Sequence, residues 1–161
     1  MSVAFRREGD DEHLEPKFEL PIPLGPNLVT PRGLVLIGEK VAALEAVIVG
    51  LAGVDKDDPL LKSAKRELRY WQTRQVTAEV MPVPTGDTVE IGSTVSFRLN
   101  GKQIALTIVG DDEADPAAGL IYFSAPLARA LMGAEVGEML EFAGREDAIE
   151  VLGIAVGAEM S

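Results

Sequence analysis

Two consecutive stretches of helical hydrophobic spacing, between Thr30 and Val80, constrain the fold of this chain more than any other feature. Within each stretch, apolar residues recur at alternating spacings of three and four, which is the a/d pattern of a coiled coil. The first set is Leu34, Ile37, Val41, Leu44, Ile48 and Leu51, and the second is Leu61, Ala64, Leu68, Trp71, Gln75 and Ala78. The spacing predicts two helices, each with one apolar seam.

A short acidic connection separates the two stretches, which predicts that the helices are antiparallel neighbours. Thr30-Pro31 and Asp58-Pro59 each place an N-cap side chain before a proline, a residue favoured at the first helical position. Residues 30–80 are therefore predicted to form an antiparallel coiled-coil hairpin. Three carboxylates stand at its free end: Asp55, Asp57 and Asp58. Helix capping explains Asp58 but does not explain Asp55 and Asp57.

Composition narrows the classes of function. With 161 residues, 47% of them hydrophobic, the chain can form one domain or two small ones. It has no cysteine and one histidine, His13, which excludes disulfides, cysteine-based zinc sites, multi-histidine metal sites and histidine-triad catalysis. A net charge of −11 argues against a dedicated DNA-binding protein. Neither a signal peptide nor a membrane-spanning run is visible, so we expect a cytoplasmic protein without membrane association.

The chain is predicted to have three segments. Residues 1–29 are interpreted as a proline-rich acidic arm, because five of the ten prolines lie between residues 16 and 31 and oppose ladder pairing. Residues 18–24 are expected to dock partly and bury alternate apolar side chains; the alternative is a solvated tail. A linker with two prolines and a glycine then separates the hairpin, residues 30–80, from a C-terminal domain, residues 87–161.

The C-terminal domain has the pattern of a small α+β fold. Residues 93–99 alternate with period two, and Asn100-Gly101 is a strong type I′ turn signal because that turn needs positive φ at both central residues. Further strands are predicted at 89–91, 103–109, 120–123, 139–142 and 148–156, with a short helix at 127–132. The domain is predicted to be an antiparallel β-sheet packed against that one helix.

The second helix of the hairpin carries a local excess of positive charge. Between Pro59 and Glu79, five basic residues stand against two acidic ones, a net of +3. The basic residues are Lys62, Lys65, Arg66, Arg69 and Arg74. Two interpretations are equally open: a solvated helix face, or a basic stripe that binds a phosphate backbone or an acidic partner surface.

Other features have a structural interpretation beside a functional one. Tyr70 and Trp71 have the chemistry to stack on a nucleic-acid base, although the seam position of Trp71 favours packing. The acidic loop from Asp111 to Asp115 is interpreted as a solvated loop or a contact to a basic surface, rather than a metal site. Arg129 in the short helix is either structural or part of a docking face.

Four blocks of the C-terminal domain resemble, in order and spacing, the C-terminal domain of the GreA/GreB transcript-cleavage factors. They are Ile91–Val95, Ile108–Pro116, Ser124–Gly133 and Val136–Glu138. In the hairpin, Thr30–Gly33 is similar to the start of the Gre hairpin, and the second helix is similar at Ala64, Lys65, Tyr70 and Arg74. The resemblance covers nearly all of residues 87–155 and, more weakly, the hairpin.

The resemblance implies an FKBP-like C-terminal domain that docks at the rim of the secondary channel of bacterial RNA polymerase. Docking would use the loop before the short helix: Ser124, Ala125 and Pro126. The hairpin would carry its tip acids towards the active centre, where family members help hold a second Mg²⁺ that activates water for hydrolysis of backtracked RNA. We expect a monomer with no catalytic residue, stable metal site or cofactor of its own, in indirect contact with nascent RNA or DNA.

The chain departs from the family pattern in three places. Ala125 stands where the family has serine directly before the proline. Each helical arm is shorter than in typical Gre factors by about three turns, or about 15 Å of reach, as in the short-hairpin Rnk-type regulators. The family's tip motif, an Asp and a Glu around Leu-Ser/Lys, is not reproduced. Two functions follow: stimulation of RNA cleavage through the acidic tip, or competition with cleavage factors without stimulation of cleavage.

Two further classes of protein are alternatives to a polymerase-binding factor. An FKBP-like prolyl isomerase or chaperone would need a pocket lined by several aromatics, and most of those in the domain occupy strand positions that suit a core. They are Phe97, Tyr122, Phe123 and Phe142. Turnover of a prolyl peptide would support the isomerase. The second class is a coiled-coil module that dimerises through an exposed arm, and light scattering would show it as a dimer.

Overall fold

The computed structural model describes residues 19–157. They divide into two compact units, one formed by residues 19–24 and 38–76 and the other by residues 25–37 and 77–157. Two long helices, flanked by two short strands, precede a sheet with a third helix, which confirms the predicted mixed helix-and-sheet class. The units do not follow the predicted segment boundaries, because the first turns of the first helix group with the sheet.

The first two helices begin where their capping residues predict. Helix α1 spans Pro31–Gly50 and helix α2 spans Pro59–Thr77. The Thr30 hydroxyl accepts a hydrogen bond from the Gly33 backbone N–H at 2.9 Å, and the Asp58 carboxylate accepts one from the Leu60 N–H at 2.9 Å. Each cap satisfies a donor at the helix start, so the two predicted starts are confirmed. No helix within residues 19–157 combines the length and apolar character that crossing a bilayer would require.

Burial in α1 and α2 falls mainly on the predicted seam positions. Four of these residues are buried: Ile37, Val41, Leu61 and Ala64. Leu34 and Gln75, near one end of each seam, are exposed. The Nζ of Lys40 in α1 lies 5.8 Å from the ring centroid of Trp71 in α2, so the two helices are neighbours. The interlocking of side chains that defines a coiled coil stays a prediction.

Two short strands that the sequence did not predict pair in parallel, directly before α1 and directly after α2. Strand β1 is Leu28–Val29 and strand β2 is Glu79–Val80. The Met81 N–H donates to the Val29 carbonyl at 2.8 Å and extends this ladder. The prediction that residues 1–29 lack ladder pairing is therefore wrong for β1, because no proline follows Pro26 until the ladder is complete.

Residues 19–24 do not bury alternate apolar side chains as the sequence predicts. Leu20 and Ile22 are 38% and 42% exposed, and Leu24 is 97% exposed. The segment has no regular strand, so no pleat sends alternate side chains to a buried face. Phe18 and the part of the predicted arm before it lie outside the described residues.

The sheet is mixed rather than antiparallel. Its strands are β3 (Ser93–Leu99), β4 (Lys102–Val109), β5 (Leu120–Tyr122), β6 (Met139–Phe142) and β7 (Arg145–Val156). They lie in the order β5-β4-β3-β7-β6, and β5 runs parallel to β4 while the other pairs are antiparallel. The antiparallel prediction is wrong for β5, because residues 110–119 form a crossing connection with two short 3₁₀ turns instead of a tight hairpin.

Two tight turns set the strand boundaries. Asn100 and Gly101 have φ of 51° and 86°, which confirms the predicted type I′ turn between β3 and β4. Ala143 and Gly144 have φ of 54° and 81° and join β6 to β7 in the same way, so β7 begins earlier than the predicted residue 148. Residues 89–91 form no strand; the Val89 N–H instead donates to the carbonyl of Ala134 at 2.9 Å.

The core of the sheet unit holds helix α3, Pro126–Leu131, against the sheet. Ala128 and Leu131 on this helix are fully buried, as are Phe97, Ile108 and Ile149 on the strands. Burying a large aliphatic or aromatic side chain contributes about 1.5–3 kcal/mol. The loop that precedes α3 is therefore anchored to a rigid core.

Candidate functional site

The turn between α1 and α2 holds its carboxylates on an ordered backbone. The Asp57 N–H donates to Asp55 Oδ1 at 2.9 Å, and the Leu60 N–H donates to Asp58 Oδ1 at 2.9 Å. The Asp58 N–H donates to the Asp55 carbonyl at 2.9 Å and closes the turn. Local capping and turn chemistry thus engage one oxygen of Asp55 as well as one of Asp58. The sequence assigned such a role to Asp58 alone.

The three tip acids are the candidate Mg²⁺ ligands of this chain. Carboxylate oxygens are ligands that Mg²⁺ prefers. Within residues 19–157, however, no group of three or more His, Cys, Asp or Glu side chains is arranged to hold an ion. That finding includes the acidic loop from Asp111 to Asp115. The expectation that a partner completes the ligand set of the tip acids stays a prediction.

Four of the five predicted stripe residues lie on one side of α2. Lys62, Lys65, Arg66 and Arg69 are three or four residues apart and so share a helix face, which we call the basic face. Arg66 is half-buried and the other three are exposed. Arg74 is only 2% exposed, so its predicted place in a solvent-facing stripe is wrong. The spacing of charges along a helix does not reveal that the folded chain covers one guanidinium.

The aromatic pair beside the basic face has a packing role. The Tyr70 and Trp71 rings meet edge to face, with centroids 5.1 Å apart and an interplanar angle of 87°. Both side chains are half-buried, and the Lys40 ammonium lies over the Trp71 ring. These contacts favour packing over base stacking for Trp71.

The three predicted docking residues differ in accessibility. Ser124 and Pro126 are exposed, whereas Ala125 is 6% exposed and belongs to the core of the sheet unit. The Ala125 N–H donates to the Tyr122 carbonyl at 3.0 Å, and its carbonyl accepts from the Arg129 N–H at 2.9 Å. A partner can contact Ser124 and Pro126, but the buried methyl group of Ala125 is not available, which corrects that assignment.

An open groove of about 470 Å³ adjoins this loop. One wall is α3 and the other is the end of β6, and the lining residues are Pro126, Arg129, Ala130, Glu141, Phe142 and Ala143. Arg129 is exposed at this groove, which favours the docking-face interpretation over a purely structural one. The exposed loop and the groove together form one continuous surface at the N-terminal end of α3.

Substituting Ala125 by serine is expected to stabilise the protein. Ala125 occupies the N-cap position of α3 with an extended backbone, φ −64° and ψ 146°, and provides no side-chain cap. A serine hydroxyl there would accept a hydrogen bond from the first turn, so Ala125→Ser should raise the free energy of unfolding by about 1 kcal/mol. Chemical denaturation measures this, with Ala130→Ser inside the same helix as the control that should give no gain. Equal stability of Ala125→Ser and wild type would contradict the assigned cap.

A polar cluster that the sequence did not predict ties the 110–113 loop to the start of α1. Glu113 Oε2 accepts hydrogen bonds from the backbone N–H groups of Thr30 and Gly110, both at 3.1 Å. Glu113 Oε1 accepts a short hydrogen bond from the Thr30 hydroxyl, whose oxygen also caps Gly33. One carboxylate therefore holds the N-cap residue of α1, which is 1% exposed.

Two glycines make room for this cluster. A Cβ on Gly33 would overlap the Glu113 carboxylate, and a Cβ on Gly110 would lie 2.5 Å from the Leu28 carbonyl oxygen. Each glycine stands three residues from a member of the cluster, in Thr30-x-x-Gly33 and Gly110-x-x-Glu113. Those two spacings were the available sequence signals, but nothing local shows that they meet.

Comparison with known proteins gives the following similarities. Residues 84–156 match the family model described as Transcription elongation factor, GreA/GreB, C-term. Transcription elongation factor GreA of Rhizobium etli is 32% identical over 133 residues, which cover 74% of this chain and 84% of that protein. GreA of Desulfovibrio desulfuricans is 35% identical over 91 residues, 54% of this chain and 56% of that protein. GreA factor homolog 1 (Gfh1) of Thermus thermophilus, a crystal structure, is 20% identical with a TM-score of 0.38, covering 81% of this chain and 99% of that chain.

The chain belongs to the GreA/GreB family of transcription elongation factors. The matching family model and these relatives are described as transcription elongation factors, not as enzymes. The matched region contains the loop before α3, the adjoining groove and Glu113. The alignment with the Desulfovibrio protein spans little more than half of each chain.

Proposed function

We propose that this protein binds bacterial RNA polymerase at the secondary channel and regulates transcript elongation there. The observation that carries the proposal is the exposed acidic turn at the joined ends of α1 and α2, in a chain of the GreA/GreB family. In this proposal the sheet unit is an FKBP-like domain that docks through Ser124, Pro126 and the adjoining groove. The two helices form a coiled-coil hairpin that carries Asp55, Asp57 and Asp58 into the channel.

The tip supports two modes of regulation. In the first, its carboxylates complete a Mg²⁺ site in the polymerase active centre, and the ion, when bound, supplies an activated water for cleavage of backtracked RNA. In the second, the protein occupies the channel and competes with cleavage factors. The second mode is favoured by the backbone hydrogen bonds that engage Asp55 and Asp58, and by an α1 of 20 residues, about 30 Å long.

The same proposal includes further contacts. The basic face of α2 carries several exposed cations and would meet nascent RNA in the elongation complex. The protein would act as a monomer in the bacterial cytoplasm, where its polymerase partner works. A prolyl isomerase is not favoured, because Phe97 is fully buried and Phe123 and Phe142 pack against the same core.

Two assays with purified components test the proposal. The wild-type chain should be retained by immobilised bacterial RNA polymerase at low ionic strength. It should then be added, with Mg²⁺, to a stalled and backtracked complex, alone and together with a GreA that stimulates cleavage. New RNA fragments would assign the first mode, and reduced cleavage by the added GreA would assign the second. A chain that polymerase does not retain would overturn the proposal.

Neutralising the tip tests the first mode. Asp55→Asn with Asp57→Asn removes two charges but keeps amide oxygens that can close the turn. Any cleavage stimulated by the wild type is expected to fall at least tenfold, because carboxylates are far better Mg²⁺ ligands than amides, while polymerase binding stays unchanged. Glu39→Gln with Glu45→Gln, two exposed acids on α1, is the charge-matched control and should not reduce cleavage. Equal cleavage by the tip variant and the control would reject the tip assignment.

A further inference from the structure

The short segment that precedes β1 contacts the basic face of α2. Arg69 donates two hydrogen bonds to Glu19, from Nε to Oε1 at 2.8 Å and from Nη2 to Oε2 at 2.5 Å. The two side chains are 54% and 46% exposed, respectively. Such a bidentate pair fixes the orientation of the guanidinium as well as its charge. The basic face is therefore already in contact with an anion of its own chain.

The charge of Glu19 interacts with Arg66 as well as with Arg69. The hydrogen bond from Arg69 lowers the pKa of Glu19, burial opposes this, and the charges of Arg69 and Arg66 lower the pKa further. Two of the four residues of the basic face thus stabilise the ionised carboxylate. The contact is complete above the ordinary pKa of a glutamate and weakens only as the pH falls through the lowered value, so it is present at neutral pH.

The segment lies on α2 without being sealed into it. An open groove of about 430 Å³ lies between the two, and its lining includes Leu20, Ile22, Tyr70, Thr73 and Val76. Ile22 is 42% exposed and Val76 is 80% exposed. Few apolar groups of the segment are removed from water here, so burial adds little to the Arg69–Glu19 contact.

We propose that residues 19–24 are an intramolecular competitor for the basic face, in which Glu19 occupies the Arg69 guanidinium and must leave before an RNA phosphate can take its place. The inference rests on the proposed contact of the basic face with RNA and adds its regulation. A guanidinium fork binds a phosphate in the same two-point manner as a carboxylate, so the two anions exclude each other. An RNA strand carries a charge at every nucleotide and releases counterions on binding, which lets it displace a single carboxylate.

The competition can be measured with the full-length chain and a fluorescently labelled single-stranded RNA at low ionic strength. Glu19→Gln removes the competing charge, and Glu146→Gln, an exposed acid of the other unit, changes the net charge equally. Fluorescence anisotropy should give a Kd for Glu19→Gln about threefold lower than for Glu146→Gln, the size expected for loss of one exposed ion pair. In an Arg69→Gln background the same two substitutions should give equal affinities.

Several outcomes would overturn the competitor role. One is that Glu19→Gln and Glu146→Gln bind RNA with equal affinity, and another is that their affinities still differ in the Arg69→Gln background. The others are that none of the variants binds RNA, or that the protein binds poly-glutamate in place of RNA. Retention by RNA polymerase is measured on the same proteins and should not change with Glu19→Gln. If RNA polymerase retains the protein but Glu19→Gln and Glu146→Gln bind RNA equally well, only the competitor role is rejected. If RNA polymerase does not retain the wild-type protein, the proposed function is rejected. The comparison of RNA affinities then still tests the competitor role by itself.

Discussion

Replacing Glu113 by alanine is expected to lower the free energy of unfolding by about 3 kcal/mol, because the substitution removes a side-chain acceptor shared by three donors. Two of these donors are the backbone N–H groups of Thr30 and Gly110, both in buried residues, and the third is the Thr30 hydroxyl. Buried donors left without an acceptor keep their desolvation cost, so the loss exceeds that of a typical surface hydrogen bond.

The effect of Glu113→Ala should be visible both globally and at one defined amide. Chemical denaturation followed by circular dichroism gives the stability, and Glu146→Ala, an exposed acid of the same unit, should change it by less than about 0.5 kcal/mol. Hydrogen exchange should become faster at the Gly33 N–H, because the Thr30 hydroxyl that caps it is no longer held in place. Wild-type stability together with unchanged exchange at this amide would show that Glu113 does not hold the start of α1.

Replacing Ser124 by arginine is expected to raise the Kd for RNA polymerase at least tenfold, about 1.4 kcal/mol in binding free energy. Ser124 is exposed directly before α3, beside the groove formed with β6. A long charged side chain there would prevent close contact with the proposed docking surface and would bring an uncompensated charge into the interface. Because the position is exposed, the fold itself should tolerate the change.

The matched control for Ser124→Arg is Gln103→Arg, which adds the same charge at an exposed position of β4 in the same unit. Quantitative retention on immobilised polymerase should show near wild-type affinity for the control and the tenfold loss for Ser124→Arg. Equal spectra in circular dichroism would establish that both variants are folded. If the two variants bound polymerase equally well, the docking surface would lie elsewhere on the protein.

Features controlled by neighbouring residues were predictable from the sequence. Thr30 and Asp58 cap helices within their own first turns, and Asn100-Gly101 adopts positive φ because of its own residue types. The apolar spacing of α1 and α2 likewise identified the buried apolar positions of these helices, such as Ile37 and Leu61. In each case the determining interaction spans only a few residues, so the sequence pattern contains the necessary information.

Features that depend on distant residues were not predictable. Glu113 meets Thr30 across 83 positions, and the strands β1 and β2 pair although all of α1 and α2 lies between them. The parallel placement of β5 depends on the course of a loop, and the burial of Arg74 depends on the folded surroundings. The accessible docking residues could be separated from Ala125 only once the core was known.

The β1–β2 pair has a consequence for how the arms of the protein can vary. Leu28 lies beside Glu79 and Val29 beside Val80, so the residues just before α1 and just after α2 are held on adjacent strands, which in sheets are about 4.8 Å apart. Equal insertions or deletions in α1 and α2 therefore leave this junction undisturbed. The length of the two helices can therefore change while the β1–β2 pair stays the same.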